Sequence, residues 1–317
     1  MEKTSKIIPT PIEDVKTLID IVNSMNLEIE SIDNIKTYIN KIIQGYVMAV
    51  PQFEAGLTLY RARKFGEHDR PATVNELGPP PVQFVTHDQR CSRAGQTMFY
   101  CSSARNAPFF EINSQSGEYI VMSKWLTCEP LLFNHVGYTK SNFGLLGSTR
   151  ESPTWGTPKK LYADSSSRGQ LIDDFLARKF SMKVSDQQIY FYKSTIAISE
   201  LLVLKPIASE TYAFAGIMYP TIPMNANCEN FAIFPKYFRT GVRFVSAEFI
   251  KVKEIKDLTI DTEVLDFATA DEDTGSLIWK GHPPQYILKN QNDELTFTTI
   301  NGEWVATNQH GEIVLPE

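Results

Sequence analysis

The chain has 317 residues, of which 42% are hydrophobic and 11% aromatic, and it carries a formal net charge of -6 at pH 7. This length and composition are enough to bury a substantial core, and the negative charge disfavours non-specific binding to nucleic acid. Because no apolar run approaches the roughly 18 residues of a membrane span and the first six residues lack the apolar stretch of a secretory signal, we expect a soluble, cytoplasmic protein. The four cysteines show no close Cys-x-x-Cys pair and the five histidines are scattered, which predicts neither a metal site nor a disulfide scaffold.

The first fifty residues have the apolar spacing of two amphipathic helices. Thr10 offers an N-cap to the first, with Pro11 at its first helical position, and Ser31 is expected to cap the second, which Gly45 ends. An apolar stripe on a helix is usually core, so a helical hairpin packed on the main domain is favoured over a surface for a partner protein.

The rest of the chain alternates between strand-like and helix-like segments. Strands are predicted at residues 57–63, 98–101, 117–125, 215–221, 230–235 and 242–255, and helices at 171–180 and 190–202. Residues 137–170 are rich in Gly, Ser, Thr and Pro, which predicts one long irregular connection. A connection of this length is either an active-site lid or partly disordered, and the sequence favours neither. The tail from about residue 275 is typical of small antiparallel hairpins, with Asn301 and Gly302 forming a type I' turn.

A short stretch before the middle of the chain concentrates groups suited to an anionic ligand. Arg90 and Arg93 flank a bend at Gly95, Tyr100 lies in a strand, and Glu111 ends an apolar segment. Guanidinium groups hold phosphate oxygens, an aromatic ring stacks on a planar heterocycle, and a carboxylate stabilises a developing cation. A dinucleotide such as NAD meets all three requirements.

These residues, taken in order, resemble the RES-domain family, named for an arginine, a glutamate and a serine, whose members include toxins of bacterial toxin-antitoxin pairs. The family's Tyr-Arg pair corresponds to Tyr60 and Arg61, and its Gly-Arg-Trp-Asn segment to residues 89–95 with Tyr100. The family glutamate falls on Glu111. The later Tyr-Pro-Ser and Asn positions fall on residues 219–221 and Asn230, so the resemblance covers roughly residues 57 to 255.

Two departures from the family pattern matter for the prediction. Gln89 replaces a glycine, which is tolerable where the backbone φ is negative. Thr221 stands in place of the naming serine; it keeps the hydroxyl but adds a methyl group and a stiffer rotamer. A hydrogen-bonding role for this residue survives the change.

The resemblance implies an α+β fold with an ADP-ribosyltransferase-like core of mixed β-sheet and flanking helices. It also implies NAD as a substrate rather than a cofactor, with Glu111, Arg90 and Thr221 as catalytic residues. Binding residues are then Arg61, Tyr100, Asn230 and, by proximity only, Arg93. Each of these residues taken alone has an ordinary structural explanation, and their joint order and spacing carry the prediction.

The predicted domains are an N-terminal helical extension (1–50), a RES domain (51–260) and a C-terminal β-hairpin extension (261–317). The predicted function is an NAD-consuming toxin or defence effector, an NAD glycohydrolase or phosphorylase. Two alternatives stay open: an ADP-ribosyltransferase acting on a macromolecule, and a non-catalytic fold that binds a nucleotide or an antitoxin-like partner. An antitoxin protein and a homodimer are implied by the family only, and no metal is predicted.

Overall fold

The computed structural model describes residues 7–47, 50–150, 166–204, 214–289, 294–300, 303–308, 310 and 312–314. Helices and β-strands are both abundant in them, which confirms the predicted α+β class. The helices are α1 (Ile12–Ser24), α2 (Ile32–Ile42), α3 (Ala107–Glu111), α4 (Lys140–Leu146), α5 (Ser167–Phe180), α6 (Tyr192–Leu204) and α7 (Pro235–Gly241). None of these helices is both long and apolar enough to cross a membrane.

The strands include every strand that the sequence predicts, with boundaries shifted by up to two residues, together with additional ones. They are β1 (Gln52–Phe53), β2 (Thr58–Phe65), β3 (Phe99–Ser102), β4 (Tyr119–Thr127), β5 (Leu131–His135), β6 (Gly216–Pro220), β7 (Glu229–Ile233), β8 (Val242–Lys256), β9 (Thr259–Ala270), β10 (Leu277–Trp279), β11 (Tyr286–Lys289), β12 (Glu294–Ile300), β13 (Glu303–Asn308) and β14 (Ile313–Val314). The turn predicted at residues 301–302 lies outside the described residues.

The chain forms two compact units, each built from three separate segments. The first unit contains Met1–Leu57, Pro79–Ser103 and Thr127–Val242, and the second contains Thr58–Gly78, Ala104–Leu126 and Arg243–Glu317.

The first unit is a mixed β-sheet with helices packed on it. Its strand order is β1-β5-β6-β7-β3, with β5 and β6 parallel and the other neighbouring pairs antiparallel. Apolar side chains of α1, α2, α5 and α6 join one face of β6 and β7 in a single hydrophobic cluster. The two N-terminal helices are therefore part of this unit's core, as the favoured interpretation predicted.

The start of α1 differs by one residue from the prediction. Pro11, with extended backbone (φ -57°, ψ 150°), is the N-cap, and the helix begins at Ile12. Thr10 is not the cap, because its hydroxyl donates to the carbonyl of Lys41 at 2.7 Å. Ser31 caps α2 as predicted by accepting the amide of Asn34 at 3.1 Å.

Gly45 follows α2 at a point where the backbone leaves no room for a side chain. It has φ +70°, and a Cβ atom built on it would approach Pro9 Cα to 2.9 Å. The glycine therefore permits the turn after α2 and the close approach of the N-terminal segment.

The glycine-rich stretch from 137 to 170 is partly helical. It contains α4, capped by the Thr139 hydroxyl and ended by Gly147 at φ +71°, and the first residues of α5. The expectation of one long irregular connection is therefore wrong for these residues, because the Thr139 cap and the Gly147 C-cap enclose a short helix. Residues 151–165 lie outside the described part of the chain, so the choice between lid and disorder stays untested.

The second unit has strands in the order β2-β4-β8-β9-β10 and a separate four-stranded antiparallel sheet, β11 to β14. Side chains of β2, α3, β4 and β8 form its hydrophobic cluster. The sequence predicts hairpins for β11 to β13, and β12 pairs with β13 accordingly. The first strand of the predicted tail, β10, pairs with β9. Strand β9 runs across the domain boundary predicted at residue 260.

Candidate active site

The turn that carries Arg90 is fixed at both ends by backbone hydrogen bonds. The amide of Gln89 donates to the Ser92 carbonyl at 2.8 Å, and the amide of Ser92 donates back at 3.3 Å. The predicted bend at Gly95 is present with φ +76°, and its amide donates to Val85 O at 2.7 Å. Arg90 is thus presented by an ordered turn.

Tyr100 holds this turn from the neighbouring strand β3. Its hydroxyl accepts the Cys91 amide at 3.1 Å and lies 3.1 Å from the Ser92 hydroxyl. Burial raises the pKa of the Tyr100 phenol, so the side chain stays neutral across the physiological range. Tyr100 therefore positions the residues directly after Arg90.

The guanidinium of Arg90 lies at the end of α5 between two tyrosine rings. Its Nη1 donates to Phe180 O at 2.5 Å, and its Nη2 donates to Met182 O at 3.3 Å. The central carbon of the guanidinium is 5.3 Å from the ring centroid of Tyr192 and 5.8 Å from that of Tyr219. These contacts use two of the group's five donors, and the side chain is partly exposed.

A row of polar side chains crosses β3, β7 and β6 beside this guanidinium. Ser102, Asn230 and Tyr219 are directly opposite one another in register, and the Ser102 hydroxyl donates to Asn230 Oδ1 at 2.5 Å. Opposed residues share a face of a sheet, as do residues two apart on one strand, so Tyr100 lies on that face too. The structure therefore brings Arg90, Tyr100 and Asn230 together.

Thr221 lies just after this row, at the closed end of the β6-β7 connection. Its amide donates to Cys228 O at 2.9 Å and its hydroxyl is 3.3 Å from the Cys228 thiol sulfur. The residue is fully buried. Thr221 directly follows β6 and Asn230 lies at the start of β7, so the antiparallel pairing places both at the same end of the two strands.

Arg93, predicted as a binding residue by proximity only, binds two carboxylates. Its Nε and Nη2 donate to Glu200 at 2.5 and 3.0 Å, and its Nη1 and Nη2 donate to Asp33 at 3.2 and 2.7 Å. Hydrogen bonds to Glu200, and then to Asp33, raise the pKa of Arg93. The positive charge and the hydrogen-bond donors with which Arg93 would bind a phosphate are thus used within the protein. Binding of a substrate phosphate by Arg93 stays a prediction.

Arg61 and Glu111 belong to the second unit. Arg61 is on β2, where its carbonyl accepts the Ser123 hydroxyl at 3.0 Å, and Glu111 is the exposed last residue of α3. Helix α3 packs against β2. Both residues therefore lie on adjacent elements of one unit.

Two further polar groups near the row escaped the sequence analysis. Glu229, buried at the start of β7, accepts the Ser103 hydroxyl at 3.0 Å and forms an ion pair with Arg150. Tyr192 contributes a ring to the Arg90 contact from α6. For Glu229, the only signal in the sequence was its position directly before Asn230. Its partner Arg150 is far from it in the sequence, and Tyr192 is far from Arg90, so neither contact could be predicted.

The thiol of Cys91, the residue after Arg90, is not suited to nucleophilic chemistry. Burial raises the pKa of the Cys91 thiol to about 12, so the reactive thiolate is scarce at neutral pH. Within the described ranges, no cluster of three or more His, Cys, Asp or Glu side chains is arranged to hold a metal ion.

Comparison of the chain with protein-family models, curated proteins and solved structures gave no match. The relation to the RES-domain family therefore depends on the motifs quoted above and stays a prediction.

Proposed function

We propose that the protein cleaves the bond between nicotinamide and ribose in NAD, with water or inorganic phosphate as acceptor. The observation that carries this proposal is the common location of Arg90, Tyr100 and Asn230. These three residues were selected from the sequence by their chemistry and by the family resemblance. Tyr100 and Asn230 share one face of the first unit's sheet, and the Arg90 guanidinium lies 5.8 Å from the ring of Tyr219 on that face.

The proposed roles follow from the charge changes in the reaction. Nicotinamide leaves NAD as a neutral molecule, so a strong general acid is unnecessary, while positive charge develops on the ribose. Glu111 would stabilise that charge, and Arg90 and Arg61 would bind the phosphates. Arg90 retains donors for this purpose beyond the two that bind Phe180 and Met182. The roles of Glu111 and Arg61 derive from their places in the motif.

Tyr100 and the row beside it would orient the substrate. The ring of Tyr100 would stack on nicotinamide, while its hydroxyl keeps the Arg90 turn in place. Asn230 and Thr221 would fix the strand ends that border the site. When water is the acceptor, its oxygen bonds to the ribose carbon, nicotinamide departs with the bonding electrons, and one proton is released.

Loss of NAD would stop growth, so we propose a toxin or defence effector acting in the cytoplasm, with an antitoxin protein as its partner. Transfer of ADP-ribose to a macromolecule uses the same bond cleavage and differs only in the acceptor.

One observation favours a second candidate, a protein that binds a nucleotide without turnover. The Thr221 hydroxyl is fully buried against Cys228, although it replaces the serine that names the family. In this case NAD would bind, since Arg90 and Tyr100 are kept, but nicotinamide would not be released.

The central test compares wild type with Glu111→Gln. Purified protein is incubated with NAD, with and without inorganic phosphate, and the products are followed by NMR. Removing one charge that stabilises the transition state should lower nicotinamide release by about 100-fold or more. ADP-ribose as second product identifies water as acceptor, and its phosphorylated form identifies phosphate.

Glu272→Gln is the matched control, because Glu272 is an exposed acid in a turn. It should leave the rate unchanged. Equal rates for wild type and Glu111→Gln would overturn the catalytic proposal. NAD binding measured by calorimetry without any release, with or without a cell extract that supplies macromolecular acceptors, would favour the binding protein instead.

A further inference from the structure

The segment after Arg90 is attached to the N-terminal helices by a network of four charged side chains. We define the charged network as Arg93, Glu200, Asp33 and Lys36. Arg93 binds both acids, and Lys36 donates to Glu200 Oε2 at 2.6 Å. Asp33 and Lys36 belong to α2, and Glu200 belongs to α6. Arg93 is therefore the point at which the Arg90 turn meets two helices.

Glu200, at the centre of this network, is shielded from water, whereas Asp33 at its edge is 72% exposed. The side chain of Glu200 is 13% exposed, whereas those of Arg93 and Lys36 are each 29% exposed. Burial alone would raise the pKa of Glu200, but its hydrogen bonds to Arg93 and Lys36 outweigh this effect and lower it. A carboxylate that is largely buried and bound by two cations holds them in a defined geometry.

The same helix also contacts the segment at other residues. The ring of Tyr192, at the start of α6, lies against the Arg90 guanidinium. Cys91 packs in the hydrophobic cluster to which Ile196 and Ile198 of α6 belong. Three residues within a four-residue stretch are thus linked to α6: Arg90 through Tyr192, Cys91 through the hydrophobic cluster, and Arg93 through Glu200.

We propose that Glu200 and Asp33 are positioning residues which, through Arg93, keep the Arg90 guanidinium in the orientation that binds NAD. This inference rests on the proposed function for its ligand. It gives the N-terminal helices a role, because α2 supplies Asp33 to the network. Arg93 then acts from within the protein scaffold and Arg90 acts on the substrate.

The test compares Glu200→Gln and Asp33→Asn with a control that loosens α2 at a distant point. Arg168, the second residue of α5, donates to the carbonyls of Thr10 and Gln44 at 2.7 and 2.5 Å. Arg90 binds Phe180 at the other end of the same helix, about 18 Å away at 1.5 Å per residue. Arg168→Gln should therefore weaken the attachment of the N-terminal helices without moving Arg90.

Two measurements are made on each full-length variant. Calorimetry with NAD should show that Glu200→Gln weakens binding by about 10-fold or more, the effect of losing one well-oriented charged contact, with a smaller effect for the more exposed Asp33→Asn. Arg168→Gln should bind within twofold of wild type. Hydrogen exchange should be accelerated in the peptides covering residues 89–96 by Glu200→Gln and unchanged by Arg168→Gln.

The outcomes separate this proposal from the preceding one. If wild type neither binds nor cleaves NAD, the proposed function fails, and hydrogen exchange at residues 89–96 still decides whether the charged network fixes the turn. If wild type binds NAD and Arg168→Gln weakens NAD binding as much as Glu200→Gln does, the charged network has only a general structural role and the proposal is overturned. Unchanged exchange in Glu200→Gln would also overturn the proposal.

Discussion

At the scale of single residues, the hydroxyl of Tyr100 contacts two consecutive residues of the turn after Arg90. It serves both the Cys91 amide and the Ser92 hydroxyl, and Cys91 is buried. A buried amide that loses its acceptor retains its desolvation cost without any compensating bond. The Tyr100 hydroxyl therefore adds to the backbone hydrogen bonds that hold the turn presenting Arg90.

Tyr100→Phe tests this contribution. The ring stays, so packing is kept, and the free energy of unfolding should fall by about 1–2 kcal/mol because one buried amide loses its partner. Urea denaturation measures the change. Tyr119→Phe is the control: its hydroxyl binds the exposed Glu67, and its loss should cost less than about 0.5 kcal/mol. Equal losses in the two variants would contradict the role assigned to Tyr100.

The contacts of the candidate site could be predicted only in part. The chemistry of Arg90 and Tyr100 and the family resemblance of Asn230 marked them as candidates, but the sequence did not show that they lie close together. The partners of Arg93 could not be predicted, because Asp33 and Glu200 lie 60 and 107 residues away from it. Nothing local in the sequence distinguishes a guanidinium that faces substrate from one that binds carboxylates on other helices.

At the scale of elements, α2 behaves as core although it lies near the beginning of the chain. Its apolar side chains Ile35, Ile39 and Ile42 are fully buried in the same cluster as α5 and α6. Helix α2 packs closely against α6 and α1. The first unit should therefore lose much of its stability when this face is weakened.

Ile39→Ala should destabilise the protein by about 2–5 kcal/mol, since it removes a buried side chain and leaves a cavity. Thermal unfolding followed by circular dichroism measures the effect. Ile29→Ala is the matched control, because Ile29 is 80% exposed in the connection between α1 and α2. A loss below about 1 kcal/mol for Ile39→Ala would mean that the helical pair is an accessory to the unit rather than part of its core.

Elements with a clear apolar period were predicted well, and those without one were missed. α1, α2, α5 and α6 and the strands β2 to β4 follow their hydrophobic patterns. β9 was missed because acids interrupt its apolar residues and most of its side chains are only partly buried. It is specified instead by pairing with β8 along most of its length. α4 was hidden by its glycine and serine content, which predicts irregular structure.

At the scale of the whole molecule, the charged network should make the protein less stable as the pH falls into the acidic range. Hydrogen bonding to Arg93 lowers the pKa of Asp33, and the pKa of Glu200 is lowered as described. A carboxyl whose folded pKa is depressed stabilises the fold above its ordinary value of about 4, and this contribution is lost as the pH falls through the folded value.

Comparing wild type with Glu200→Gln across pH tests this linkage. At pH 7 the variant should unfold at a lower urea concentration than wild type. The difference should shrink as the pH falls from the ordinary carboxyl pKa of about 4 towards the lowered pKa of Glu200, because the wild-type carboxylate is then progressively protonated. A difference that stays constant down to pH 2 would show that the charge of Glu200 does not contribute to stability.

The division of the molecule into two units, each made of three segments, also constrains how the protein is made and how it can evolve. The polypeptide passes from one unit to the other at five places, after residues 57, 78, 103, 126 and 242. A ribosome has to synthesise about three quarters of the chain before the last strand and helix of the first unit emerge, so neither unit can finish folding early during translation. For the same reason, no single break in the gene yields an intact unit, and recombination cannot exchange one unit as a cassette while leaving the other untouched.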